Sequence, residues 1–405
     1  MNIAVTGRGL LTSLGIGLAA SMDSLRSGRC GIELDENAPA GAIACTGRIH
    51  GFDPAEYVPP RIRVQTDRWT HLGLAVAAEA LHEARLDQPD PIAAERIGVM
   101  TAVGSGGNEF GQHELQKLHS RGPANVGPYQ SIAWFSAALT GQMSIQFGLK
   151  GPCGVVAAQE AGGIEAIAAA AGTIASGEAD QIVISSAEAQ LNPYALACLQ
   201  SQQGFSAERD PSTAFQPFTT RAAGLVPAEG ASALVLEDED SARRRGVPVL
   251  AFVAGFGSSF SLPSDPRQDA ILASIHSALN VAGLSIDDID LVIPNAVADP
   301  ALDLAEVAAL RTLFGDRQPP VLLAKTAWGG LCSASAVADA NVAIHVQECG
   351  CDLCVPMAAD KCLSGLDIIT SARPLLKPRQ TLILAAGFDG ARAALILQAT
   401  HNNGR

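Results

Sequence analysis

Seven short apolar runs constrain the fold more than any other feature: Ile3 to Thr6, Ile97 to Val103, Gln181 to Ser185, Ala233 to Leu236, Asp290 to Ile293, Val321 to Ala324 and Thr381 to Ala385. A strand with one wet face alternates apolar and polar residues, so unbroken runs imply sheets covered on both faces. Between them lie Ala-rich stretches, chiefly Gly162 to Ser176 and Ser335 to His345. As helices, their small side chains would permit close packing in the middle of a layered structure. The pattern is compatible with an α/β fold of five layers, an α/β/α/β/α sandwich. Near Ser241 to Val247 the register changes, where a charged Ala-Arg-Arg-Arg-Gly turn follows a strand ending at Glu237. This divides the chain into halves, residues 1–245 and 246–405, each with several strands and a core helix. That organisation points to an internal duplication, although the halves show no close sequence match.

Hydrophobic residues make up 48% of the chain and charged residues only 17%, which excludes disorder and implies extensive buried surface, an oligomer interface included. The net charge of -14, without a Lys/Arg block, disfavours nucleic acid or an anionic membrane as partner. It also makes the chain alone a poor dock for an acidic carrier protein. No apolar run approaches the roughly 18 residues of a membrane span. The nine cysteines (Cys30, Cys45, Cys153, Cys198, Cys332, Cys349, Cys351, Cys354 and Cys362) show no disulfide spacing, and no basic region followed by an apolar one succeeds Met1. A reducing cytoplasm is the expected setting. The polar tail from His401 to Arg405 is expected to fray.

Three motifs carry the chemistry. Gly151-Pro152-Cys153 leads through Val155-Val156 to Gln159-Glu160-Ala161-Gly162-Gly163, where Glu160 can be read as an acid in the first turn of a helix. Such an acid is also what the positive end of a helix dipole favours with no further role. The second motif is Leu291-Val292-Ile293-Pro294-Asn295-Ala296-Val297-Ala298-Asp299, with Asp303 and Glu306 downstream, and the third is Lys325-Thr326-Ala327-Trp328-Gly329-Gly330. These segments resemble the nucleophile segment and the two histidine loops of ketosynthases. The resemblance, which extends over essentially the whole chain, implies the thiolase-like version of the five-layer fold. It maps the family's catalytic Cys to Glu160, its first His to Asn295 and its second His to Gly330. Lys325, Glu306 and Phe388, the last in Ala386-Gly387-Phe388-Asp389-Gly390, match retained positions, as does Phe218. Condensation needs a thiolate and two imidazoles to polarise the malonyl thioester and stabilise its enolate. All three groups are absent at matched spacings.

The segment from Gly106 to Leu118, with Tyr129 to Phe135 and Thr140 to Ile145, is similar to the chain-length-factor subunit of bacterial type II polyketide ketosynthases. The resemblance implies a non-catalytic subunit that pairs with a catalytic ketosynthase α subunit, meets the acyl carrier protein through the complex and shapes the tunnel holding the polyketide chain. Asn108, Phe110, Gln112, Leu115, Trp134 and Phe135 are the expected tunnel residues, and Asn108, Gln112 and Leu115 share one face of a helix starting there. Chain-length factors usually carry Gln at the vacated Cys position; here Gln159 precedes Glu160. Two alternatives stay open: a decarboxylase that makes a primer, and an acyl-binding thiolase-like homodimer. No cofactor or metal is implied, and Glu160 is expected to be buried near the subunit interface.

Other residues invite rival readings. Gly104-Ser105-Gly106-Gly107 lacks the Lys of a phosphate loop and reads as a tight turn. Cys349, Cys351 and Cys354 could form a metal knuckle, but only His345 is near and no second pair follows, so structural cysteines are the expectation. Cys153 and Cys332 have no His at a motif position and read as buried, inert thiols. His113 and His119 fall on the proposed interface helix, as solvated residues or partner contacts. Tyr129, Trp134 and Phe135 are core or interface aromatics in the simplest reading.

Overall fold

The computed structural model describes residues 2–202, 204–262, 265, 267–357 and 365–400. The tail from His401 and Cys362 lie outside the described residues. The strands that matter are β1 (Ile3–Thr12), β2 (Ile97–Ala102), β3 (Cys153–Val156), β4 (Gln181–Glu188), β5 (Gly230–Asp238), β6 (Ala251–Phe260), β7 (Leu291–Ile293), β8 (Pro320–Val321), β9 (Gln380–Ala386) and β10 (Ala391–Ala399). Their order is β3-β2-β4-β5-β1 in the first half and β8-β7-β9-β10-β6 in the second. Both halves have the same pairing: the first two steps are parallel and the last two antiparallel. One topology is therefore built twice. A short antiparallel pairing of β1 with β6, from Ile3↔Val253 to Val5↔Ala251, joins the two sets.

The helices fill three layers: α1 (Arg68–Glu83), α2 (Asn108–Arg121), α3 (Gly162–Ala175), α4 (Pro193–Ser201), α5 (Glu239–Arg245), α6 (Arg267–Ala282), α7 (Pro300–Phe314) and α8 (Ser335–Cys349). On β4, Ile182 and Ile184 pack with α3 and α8 in a central core, while Val183 faces α1 in an outer one. On β9, Ile383 joins the same central core and Leu382 and Leu384 face α6 and α7 in the opposite outer core. The sheet is thus covered on both faces over its central strands, and the fold is the five-layer α/β/α/β/α sandwich. The two middle helices approach closely, since a Cβ on Gly163 would lie 3.0 Å from the Ser333 carbonyl oxygen and 3.1 Å from Ala336 Cβ.

Some elements depart from the sequence reading. The run Val321 to Ala324 is strand only at Pro320–Val321 and then turns through a 3-10 segment, Ala324–Ala327. The charged turn near Ser241 to Val247 is a helix, α5. Asp238 caps its N-terminus by accepting from the Ser241 N–H, Gly246 ends it in a left-handed conformation, and Arg245 pairs with the buried Glu237 at 2.8 Å. The strands β3, β6 and β10 have no counterpart among the seven apolar runs.

Candidate functional site

Strand β3 ends in a turn in which Gln159 takes a φ of 46°, and α3 begins at Gly162. Left-handed backbone is disfavoured for a residue with a Cβ, and here the side chain helps hold it: Gln159 Oε1 accepts from the Phe388 N–H at 2.7 Å. The turn sets Glu160 at the head of a middle-layer helix, 5% exposed. Burial pushes its carboxyl up to about 7, and Glu188 and Asp389 push the same way; a backbone N–H and Lys325 oppose them. Among the described residues its Oε2 has no hydrogen-bond partner.

Glu160 is among the residues lining a cavity of about 160 Å³, with Asn108, Glu188, Gly330, Cys332 and Phe388. Gly330 does not leave an imidazole-sized space, because a Cβ there would sit 2.6 Å from Leu225 Cδ1. Cys332 takes a φ of 45°. Burial, with Glu160 and Glu188, pushes its thiol well above the usual range, and a thiol held protonated is a poor nucleophile. Glu188, at the end of β4, is buried and receives the Gly104 N–H, the Ser333 hydroxyl at 2.6 Å and the Gln190 amide at 2.6 Å. The glycine turn at 104–107 therefore wraps a carboxylate, an environment that repels phosphate.

Behind the cavity, Asn295 belongs to a hydrogen-bonded cluster. Its N–H and that of Ala296 donate to Glu306 at 2.7 and 2.9 Å, and its Nδ2 donates to the Ala386 carbonyl at 3.2 Å. Lys325 Nζ donates to the carbonyls of Pro294 and Asn295 and forms an ion pair with Asp339 at 2.8 Å. Ala296 and Ala298 take φ values of 48° and 57°, so the loop follows a path suited to glycine without having the glycines. Phe388 packs against Phe205, ring centroids 6.0 Å apart.

The expected tunnel residues are dispersed. Asn108 is buried and lines the cavity, donating through Nδ2 to Ser105 Oγ at 2.7 Å. Gln112 instead accepts from the Tyr194 N–H at 2.8 Å and ties α2 to α4. The Phe110 N–H donates to Asp67 at 2.6 Å, and Trp134 packs its ring on Gly111. Leu115, Trp134 and Phe135 are exposed apolar side chains. Near them, Ile132, Phe135, Ile145 and Val155 line an open groove beside β3, whose outer edge pairs with no other strand among the described residues. His345 meets Asp352 at 3.0 Å. Among the described residues no group of three His, Cys, Asp or Glu side chains has metal-binding geometry.

The family description "Beta-ketoacyl synthase, N-terminal domain" matches residues 1–242, and "Beta-ketoacyl synthase, C-terminal domain" matches residues 250–348. The chain belongs to the β-ketoacyl synthase family. Among β-ketoacyl synthases it is similar to the "Putative polyketide beta-ketoacyl synthase 2" of Streptomyces coelicolor, 40% identical over 97% of this chain and 94% of that one. It is also similar to the "Tetracenomycin polyketide synthase ketoacyl synthase beta subunit" of Streptomyces glaucescens, 36% identical over 98% of each. Its fold matches "The ishigamide ketosynthase/chain length factor", with a TM-score of 0.85 at 23% identity over 98% of this chain and 99% of that one. Motif reading in this β-ketoacyl synthase passed over Glu188 and Leu225. Glu188 had a signal: an acid ending a strand buried on both faces must find several donors. Leu225 had none.

Proposed function

We propose that this chain is the non-catalytic chain-length-factor subunit of a type II polyketide ketosynthase. It pairs with a catalytic ketosynthase in the cytoplasm, meets the acyl carrier protein through that pair and shapes the acyl tunnel. The observation that carries this reading is the turn before α3. It presents a carboxylate, Glu160, where condensation needs a thiolate, and Asn295 and Gly330 supply no imidazole. The names of the relatives at 40% and 36% identity support it. So does the unpaired β3 edge beside exposed Ile132, Phe135 and Ile145, because a strand edge next to an apolar groove is a template for a partner. Residues 1–245 and 246–405 are, in this reading, two copies of one ancestral unit. The primer-making alternative lacks the two imidazoles that would stabilise the enolate.

Co-expression with a Cys-containing ketosynthase tests this reading. The expected product is a soluble heterodimer whose interface buries on the order of 2,000 Å² or more and whose polyketide output requires both chains. Restoring the thiol alone, Glu160→Cys, is expected to give no condensation. A stable homodimer indifferent to the ketosynthase, or turnover by the Cys variant, refutes the proposal.

A further inference from the structure

Helix α2 is held in place by polar contacts. Its buried residues are Asn108, Gly111 and Glu114, so none of its apolar side chains is fully buried. Its N-cap is Gly107, which has no side chain to offer the first turn. Close packing keeps that position bare, since a Cβ there would lie 2.0 Å from the Ala133 carbonyl oxygen. The missing cap is supplied from another helix. Asp67, 2% exposed, is the N-cap of α1 and accepts from the Trp69 N–H at 3.1 Å through Oδ1. Its second oxygen, Oδ2, accepts from the Phe110 N–H at 2.6 Å. One carboxylate thus sits at the positive ends of two helices, where negative charge is favoured. The turn leading into α2 is gripped from β4 as well: the Ser105 hydroxyl donates to Glu188 at 3.3 Å and accepts from Asn108 Nδ2 at 2.7 Å.

We propose that Asp67, which lies outside the three motifs, is a positioning residue for chain length: by capping α2 from α1 it fixes where Asn108 and Leu115 stand, and so where the acyl tunnel ends. The proposal rests on the chain-length-factor reading, in which these two residues face the tunnel. Asn108 lines the 160 Å³ cavity, and Leu115 stands about 10 Å further along the helix at 1.5 Å per residue. A tilt of about 10° displaces one of them against the other by about 2 Å, which resizes the space open to a chain end. Asp67 acts through α2, without touching the polyketide.

The experiment compares Asp67→Ser with the wild type in the pair reconstituted with its ketosynthase. Ser is a good N-cap and keeps the α1 bond, but its single oxygen cannot also serve α2. Asp67→Asn, an equally good N-cap with one acceptor, repeats the test with the shape of Asp. Amide hydrogen exchange over residues 108–111 is expected to speed up by about 10-fold or more, with exchange over 68–83 nearly unchanged, because one charge-assisted hydrogen bond is lost at α2 alone. The mass distribution of carrier-bound intermediates is expected to broaden, with products one ketide unit longer and shorter joining the parent length. Leu310→Ala, in the opposite outer core, should lower the melting temperature and leave the distribution unchanged. Unchanged exchange over 108–111, or broadening by Leu310→Ala equal to that by Asp67→Ser, overturns the proposal. So does an unchanged distribution in both Asp67 variants: if Leu115→Trp shortens the product in that case, the chain-length-factor reading stands without the proposal, and if it does not, both fall.

Discussion

Replacing Glu160 by Gln is expected to make the protein's stability less dependent on pH. The carboxyl titrates near 4.5 when exposed and near 7 in the fold, because burial penalises its charge. A group raised in the folded state stabilises fully below its unfolded value and loses that contribution as pH rises through its folded value. The displacement amounts to about 3 kcal/mol once both states are ionised, at 1.36 kcal/mol per pKa unit. At pH 5 most of the contribution is still present, and at pH 8.5 it is gone. Gln has nearly the same shape and never ionises, so Glu160→Gln should gain about 2–3 kcal/mol over the wild type between pH 5 and pH 8.5. Other buried acids raised by burial, such as Asp303 and Asp67, are common to both proteins and largely cancel in the difference. The assay is denaturant unfolding of the wild-type and Glu160→Gln assemblies at the two pH values, at fixed protein concentration. An unchanged stability difference would show that the Glu160 charge is compensated in the fold and refute the argument.

Three further outcomes are expected. Glu306→Ala leaves the N–H groups of Asn295 and Ala296 unpaired under a left-handed loop, and it should cost about 2–4 kcal/mol in equilibrium unfolding; a loss below about 0.5 kcal/mol contradicts the assignment. Gly163→Val drives side-chain atoms against the Ser333 carbonyl and Ala336, so it should destabilise by about 1–3 kcal/mol or prevent folding, read as melting temperature and soluble yield. Leu115 is 39% exposed on α2, so Leu115→Trp should shorten the polyketide and Leu115→Ala lengthen it with assembly intact. The mass distribution of carrier-bound intermediates from the reconstituted pair checks this, and identical distributions would remove length control from this position.

Sequence alone pointed to a layered α/β class, because apolar runs without polar alternation imply cover on both faces and Ala-rich helices fit where covers must be thin. Resemblance to the ketosynthase motifs, which are contiguous in the chain, singled out Glu160, Asn295 and Gly330. The repeated topology needed the tertiary structure: strand order and direction repeat between the halves while the residues do not, because many side-chain sets can fill one backbone path. Strand β10 reads Ala-Arg-Ala-Ala-Leu-Ile-Leu, a helix-forming composition, yet pairing with β9 and β6 holds it extended. Strand β6 carries Gly255 and Gly257, which weaken a strand by propensity. In the fold they let α6 approach, as an added Cβ would lie 2.2 Å from the Ala278 carbonyl oxygen and 2.3 Å from that of Ser274. The site was divided in the same way. That an acid stands at position 160 was plain from the chain, but its titration near 7 depends first on burial, with Glu188 and Asp389 adding to the rise and Lys325 opposing it, all brought from distant segments. Burial, and with it the unpaired oxygen and the cavity before it, is a property of the packed layers, because desolvation is set by neighbours in space and not by neighbours in sequence.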